Sequence, residues 1–122
     1  MLDTILMGID LGAGSLKVTI ITADGQLLGS ASSDVRTDTP HPGWAEQGPD
    51  AWYRALCGAV PAALKTAGLG AGDVGAVSFS AGAHTPVLLD ADNRVIRPAI
   101  LWSDQRSSAE TAELIEQAGD MI

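Results

Sequence analysis

Ile9-Asp10-Leu11-Gly12-Ala13-Gly14-Ser15-Leu16-Lys17 is the stretch on which the reading of the fold turns. An apolar strand, Ile5 to Ile9, ends in one acid; a turn of small residues follows, and a second apolar strand runs from Leu16 to Ile21. That order suits phosphate chemistry. The strand fixes the acid, the small residues let backbone N–H groups approach an anion, and Lys17 adds a positive charge. The run is neither a Walker loop nor a Rossmann fingerprint: Gly-x-x-x-x-Gly-Lys-Ser/Thr is absent, and no helix start follows Gly14. The same residues also fit a plain β-hairpin with Gly12 and Gly14 in its turn.

Outward from this run, strands come before helices. Asp24-Gly25, within Ala23 to Gln26, marks a turn, and Leu27 to Val35 reads as a third, antiparallel strand. Thr37 to Gly48 holds Pro40, Pro42, Gly43 and Gly48 and reads as a loop. Pro49 opens a helix whose dipole Asp50 complements. Trp52, Leu56, Ala59, Val60, Ala63 and Leu64 share one face of it; Pro61 is expected to kink it, and Gly68 to Gly72 end it. Val74 to Ser80 is a strand, and Pro86 to Leu89 with Val95 to Ile96 form a hairpin around an Asp-Ala-Asp-Asn turn. Ile100-Leu101-Trp102 is a short strand. Gln105 to Gln117 is a second helix, N-capped by Ser103 or Asp104 and stopped by Gly119. The class is α/β, a mixed sheet with flanking helices. Its β-β-β-α-β order resembles part of an actin-like ATPase lobe, the ribonuclease H-like core.

Composition narrows the function. A chain of 122 residues with 46% apolar content is long enough for one domain with a real core. A net charge of -8 argues against nucleic-acid or anionic-membrane partners, while leaving room for a local cationic site holding one nucleotide. The single cysteine, Cys57, has no intrachain partner and falls in the helical pattern as a small core residue. No metal-ligand cluster stands out. Asp3 and the short apolar stretch around it do not make a signal peptide, and no run reaches membrane-spanning length, so the cytoplasm is the expected compartment. The apolar pair Met121-Ile122 at the end of the chain suggests a fragment.

Four segments carry a family resemblance. They are Gly8-Ile9-Asp10-Leu11-Gly12 with Ser15 and Lys17; Pro42-Gly43-Trp44-Ala45-Glu46-Gln47 followed by Pro49 and Trp52-Tyr53; Ser78-Phe79-Ser80 through His84 with Val87-Leu88-Leu89-Asp90; and Arg97-Pro98-Ala99-Ile100-Leu101-Trp102-Ser103-Asp104-Gln105-Arg106. In order and spacing the chain resembles the N-terminal part of the FGGY carbohydrate kinases, most closely their xylulokinase-like branch. The resemblance implies that residues 1–122 are the N-terminal portion of the first actin-like domain. The rest of that domain, the catalytic base within it, and a second domain with most of the adenine site are then absent from this chain.

The implied reaction is ATP-dependent phosphorylation of a sugar or polyol hydroxyl, a xylulose-like ketose first among them, with ATP and Mg²⁺ as cofactors. Phosphoryl transfer is mostly positioning and electrostatic stabilisation. By resemblance, Asp10 is catalytic and holds Mg²⁺ through water. The Gly12, Ala13, Gly14 and Ser15 backbone lines the phosphates, and Lys17 approaches them as a point charge. Ala83 and His84 meet the sugar, Trp102 offers its carbons an apolar face, and Asp104 reaches it or caps the second helix. Arg106 pairs with a carboxylate, while Trp44 and Glu46 pack the loop. Plain structural roles stay open for Asp10 (a turn cap), Lys17 (a solvated lysine), His84 (a loop residue) and Trp102 (core).

Departures from the family pattern qualify this. Ala13-Gly14 stand where small hydroxylated residues are usual, Gly82-Ala83 replace Gln-Met before His84, and Thr85 replaces Gly. The pocket is therefore expected to be wider, which keeps glycerol, ribulose and gluconate beside xylulose. The chain alone is expected to be inactive for want of the base, and to self-associate through apolar surface that its missing elements would cover. The whole protein is expected to be a homo-oligomer, a dimer. The alternatives are a non-catalytic sugar- or nucleotide-binding regulatory module and an inert structural remnant.

Overall fold

The computed structural model describes residues 4–119; Asp3 and the Met121-Ile122 pair lie outside the described residues. Strands β1 (Ile5–Leu11), β2 (Ser15–Thr22) and β3 (Leu27–Asp34) form an antiparallel meander. Helix α1 (Pro49–Ala67) crosses the sheet and returns the chain to β5 (Val74–Ala81), which runs parallel to β1. The four-stranded order is β3-β2-β1-β5. A second, two-stranded sheet pairs β4 (Glu46–Gln47) with β6 (Ala99–Ile100), and helix α2 (Ser108–Ala118) follows. This is the mixed α/β arrangement that the strand-first pattern calls for.

The central strands alternate. Leu16, Val18, Ile20 and Thr22 of β2 are buried, and β1 adds Met7 and Ile9 to the same core. Against them α1 sets Ala55, Ala59, Ala63 and Leu64, with Trp52, Leu56 and Val60 partly covered. An alanine stripe lets the helix lie close to the sheet, and Gly29 of β3 meets it. A Cβ there would fall 2.7 Å from the Ala67 backbone nitrogen and 2.9 Å from the Ala63 carbonyl oxygen. Pro49 occupies the first turn, and Gly68 closes α1 in the left-handed conformation (φ 70°), donating to the Leu64 and Lys65 carbonyls. Pro61 sits inside α1, which runs unbroken as one helix from Pro49 to Ala67.

Five local expectations are corrected. The stretch Thr37 to Gly48 is not all loop, because Glu46–Gln47 within it pair with Ala99–Ile100 as strand β4. Cys57 is exposed, not core. It lies two residues from both Ala55 and Ala59, hence about 200° around the helix from that buried stripe. Helix α2 begins at Ser108 with Ser107 as N-cap, not at Gln105 under Ser103 or Asp104. The intervening chain is held elsewhere, because the Gln105 N–H donates to the Gly43 carbonyl at 2.7 Å. The hairpin over residues 86–96 contracts to one bridge, Leu89 with Val95. Asp90 Oδ1 turns the chain there by accepting the Asp92 and Arg94 N–H groups at 2.9 Å each. The last short strand is Ala99–Ile100, ending before Trp102.

Candidate active site

The carboxyl end of β1, the turn after it and the carboxyl end of the parallel strand β5 meet at one edge of the sheet. There they enclose a cavity of about 380 Å³. One wall is Asp10, Leu11, Gly12 and Ala13. The floor comes from Gln47 of β4, Trp52 of α1 and Leu101. Ala81, Gly82, Thr85 and Trp102 complete the rim. A second, more open hollow of about 350 Å³ lies beside it; Asp10 lines both, with Lys17, Thr19, Ser78 and Ser80 on the second. Lys17 is directly opposite Asp10 in the antiparallel register.

The turn between β1 and β2 is tied by its carbonyls. The Ser15 carbonyl accepts the Gly12 N–H and the Gly14 carbonyl accepts the Val35 N–H, both at 2.9 Å. The Ala13 carbonyl accepts Gln47 Nε2 at 2.6 Å and Thr37 Oγ1 at 3.2 Å. Among the described residues, the Ala13 and Gly14 N–H groups donate to no protein acceptor. Successive free backbone donors in a turn form a concavity suited to an anion.

The opposite wall is fixed by charge. Glu46 is buried and receives Arg97 Nη2 at 2.7 Å and Arg106 Nη2 at 2.8 Å. Asp104 accepts Arg106 Nε at 2.8 Å and Nη2 at 2.7 Å, one on each carboxylate oxygen, and also the Ala45 N–H at 2.6 Å. The Arg106 hydrogen bonds hold the Asp104 carboxyl well below the usual carboxylate range, and Asp104 and Glu46 raise Arg106 further. Arg106 also stacks 3.7 Å above the Trp44 ring, whose edge meets His41. The Trp44–Glu46 segment and the segment around Trp102, Arg97 to Arg106, are thereby clamped together.

The sequence-derived candidates separate as follows. Asp10, Gly12, Ala13 and Trp102 come together in the main cavity. Lys17 faces the adjoining hollow, and Gly14 and Ser15 lie in the tied turn outside the cavity lining. Ala83 and His84 are exposed between the lining residues Gly82 and Thr85, and His84 adopts a left-handed backbone (φ 55°). Asp104 is engaged with Arg106 and Ala45 outside the lining. Gln47, Trp52 and Thr85 line the cavity without having been singled out as site residues. The signal for Gln47 was its place beside Glu46 in the second of the four segments that carry the family resemblance, yet a lone glutamine carries no periodicity to betray its burial.

The N-terminal domain profile of the FGGY family of carbohydrate kinases matches residues 5–121. The chain belongs to that family. Two xylulose kinases are similar to this FGGY chain. That of Lactococcus lactis is 35% identical over 98% of this chain and 24% of its own length; that of Escherichia coli K12 is 38% identical over 85% and 21%. The solved xylulose kinase of Rhodospirillum rubrum superposes with a TM-score of 0.83 at 30% identity, covering 93% of this chain and 23% of its own. The gluconate kinase of Lactobacillus acidophilus, at 19% identity and a TM-score of 0.86, shares the fold. The FGGY chain thus spans about a quarter of the length of these two curated relatives.

Proposed function

We propose that this chain supplies the phosphate-facing half and one substrate wall of an ATP-dependent kinase acting on a xylulose-like ketose. The observation that carries the reading is the single cavity in which Asp10, the Gly12–Ala13 turn and Trp102 meet. The free Ala13 and Gly14 N–H groups suit phosphate oxygens, and Lys17 adds positive charge one strand away. Trp102, largely exposed, offers its ring to sugar carbons. Thr85, on the rim where the Gly82-Ala83 exchange widens the pocket, offers a hydroxyl. His84 and Ala83 flank this rim, and Asp104 acts indirectly by fixing the Trp102 loop.

Mg²⁺ retains several waters and takes one or two carboxylates plus substrate phosphates. Asp10, the carboxylate on the cavity wall, would hold the ion through water, and the bound ion would supply charge neutralisation at the transferred phosphoryl group. In the reaction the sugar hydroxyl oxygen bonds to the γ-phosphorus of ATP, the bond from that phosphorus to the ADP oxygen breaks, and the hydroxyl proton passes to a base. By family resemblance that base is an aspartate of the remaining polypeptide. The compartment consistent with an exposed, unpaired Cys57 is the reducing cytoplasm. The whole protein is read as a homo-oligomer with no nucleic-acid partner.

The test is ADP release by the intact protein with xylulose, ribulose, glycerol and gluconate, alongside Asp10→Asn. Turnover with at least one of them, lost by two or more orders of magnitude in D10N, is expected. Absence of turnover with every acceptor refutes the reading. The 122-residue chain alone is expected to release no ADP.

A further inference from the structure

The turn between β1 and β2 presents an anion with a mixed surface unless its carbonyl oxygens are turned away. Backbone pairing does this for two of them, since Val35 takes the Gly14 carbonyl and Gly12 takes the Ser15 carbonyl. The Ala13 carbonyl has no backbone donor among the described residues. We propose that Gln47 is a positioning residue for phosphoryl transfer: its side chain captures the Ala13 carbonyl, so that the turn shows an incoming phosphate its N–H groups.

The side chain is built for this. Gln47 is 2% exposed, and every polar position of its amide is used. Nε2 donates to the Ala13 carbonyl at 2.6 Å and to Thr37 Oγ1 at 2.9 Å, and Oε1 accepts Trp52 Nε1 at 2.8 Å. The Trp52 donor fixes which end of the amide faces the turn. An acceptor at Trp52 Nε1 must be oxygen, so nitrogen faces Ala13. The Thr37 hydroxyl, accepting from Gln47, spends its own proton on the same Ala13 carbonyl at 3.2 Å. Glutamate at this position loses both Nε2 donors and sets an acceptor against a carbonyl oxygen beside the anion site. Methionine keeps the volume and loses the hydrogen bonds.

This inference rests on the reading of the turn as a phosphate site, and the experiment separates the two. In the intact protein, with MgATP and xylulose as probes, Gln47→Met is expected to raise KM for MgATP about ten-fold. Q47E is expected to raise it further, while KM for xylulose stays within about two-fold of wild type. Leu64→Ala, a core truncation in α1 outside the cavity, provides the stability control. It should lower the melting temperature and leave KM for MgATP unchanged. Should Q47M fail to fold, Thr37→Val removes the second donor to the same carbonyl and is expected to shift KM for MgATP in the same direction. Wild-type turnover with Q47M and T37V unchanged for MgATP, or shifting both substrates equally, overturns the role of Gln47 alone. Absence of wild-type turnover overturns the phosphate reading and this inference with it.

Discussion

Replacing Gly29 by alanine tests the packing on which the sheet and α1 depend. A Cβ at this position meets the Ala67 nitrogen at 2.7 Å, the Ala63 carbonyl oxygen at 2.9 Å and the Ala67 Cβ at 3.0 Å. Two of these are backbone atoms, so no rotamer change relieves them. Ordinary contact begins near 3.4 Å, so α1 must retreat from β3 by about 0.7 Å at its last turns. A gap of that size forfeits roughly a quarter to a half of the dispersion energy of each atom pair it opens. The alanine stripe Ala55, Ala59 and Ala63 has no long side chain with which to refill it. Overpacking costs about 1–3 kcal/mol, and the backbone entropy gained on replacing glycine returns about 0.4–1 kcal/mol. G29A should therefore destabilise the region by about 1–2 kcal/mol. The assay is amide exchange over β3 and α1 in the intact protein, with denaturant midpoint alongside. Exchange there should accelerate about five- to thirty-fold, with KM values unchanged. Unaltered exchange in α1 would refute the close approach of helix and strand.

Other outcomes follow from the corrected positions. Exposed Cys57 should react with an aromatic disulfide reagent in the folded 122-residue chain, without denaturant; a thiol that reacts there only on unfolding contradicts its placement. The Asp104 carboxyl is depressed by its Arg106 hydrogen bonds. Its contribution is thus present above the ordinary carboxylate value of 3.8 and lost as pH falls through the lower folded value. Wild type should accordingly lose stability more steeply than Asp104→Asn between about pH 4 and pH 2, and the two should run parallel between about pH 5 and pH 8. Identical acid limbs would contradict the pairing.

The meander, α1 and β5 were legible because each is written locally. Period-two burial runs through β2, a proline opens α1, and a left-handed glycine closes it. Residues 84–107 resisted because their conformation is decided by partners far along the chain. Arg97 answers to Glu46, 51 positions away, and Asp104 to the Ala45 N–H, 59 away. An aspartate before a helical pattern reads as a cap, and only the fold shows that its oxygens are claimed by Arg106 and Ala45. Cys57 failed for a different reason. In a helix rich in small residues, the buried stripe is set by which alanines face the sheet, and apolar character alone does not distinguish Cys57 from Ala55.

For the site, the motif identified the chemical types but not the walls they occupy. Asp10 and Trp102 belong to separate segments, and the element that sets their spacing is β4, two residues long. Neighbouring residues of a strand point to opposite sides. Glu46 therefore turns to Arg97 and Arg106, and Gln47 to the Ala13 turn and Trp52. The backbone of β4 pairs with Ala99–Ile100, and the adjacent Ala45 carbonyl accepts the Leu101 N–H at 3.0 Å, one residue before Trp102. One dipeptide thus joins the anion-facing turn to the substrate wall, through Gln47 on one side and Glu46 on the other. That gives Glu46 a structural part in the site while it lies outside the cavity lining.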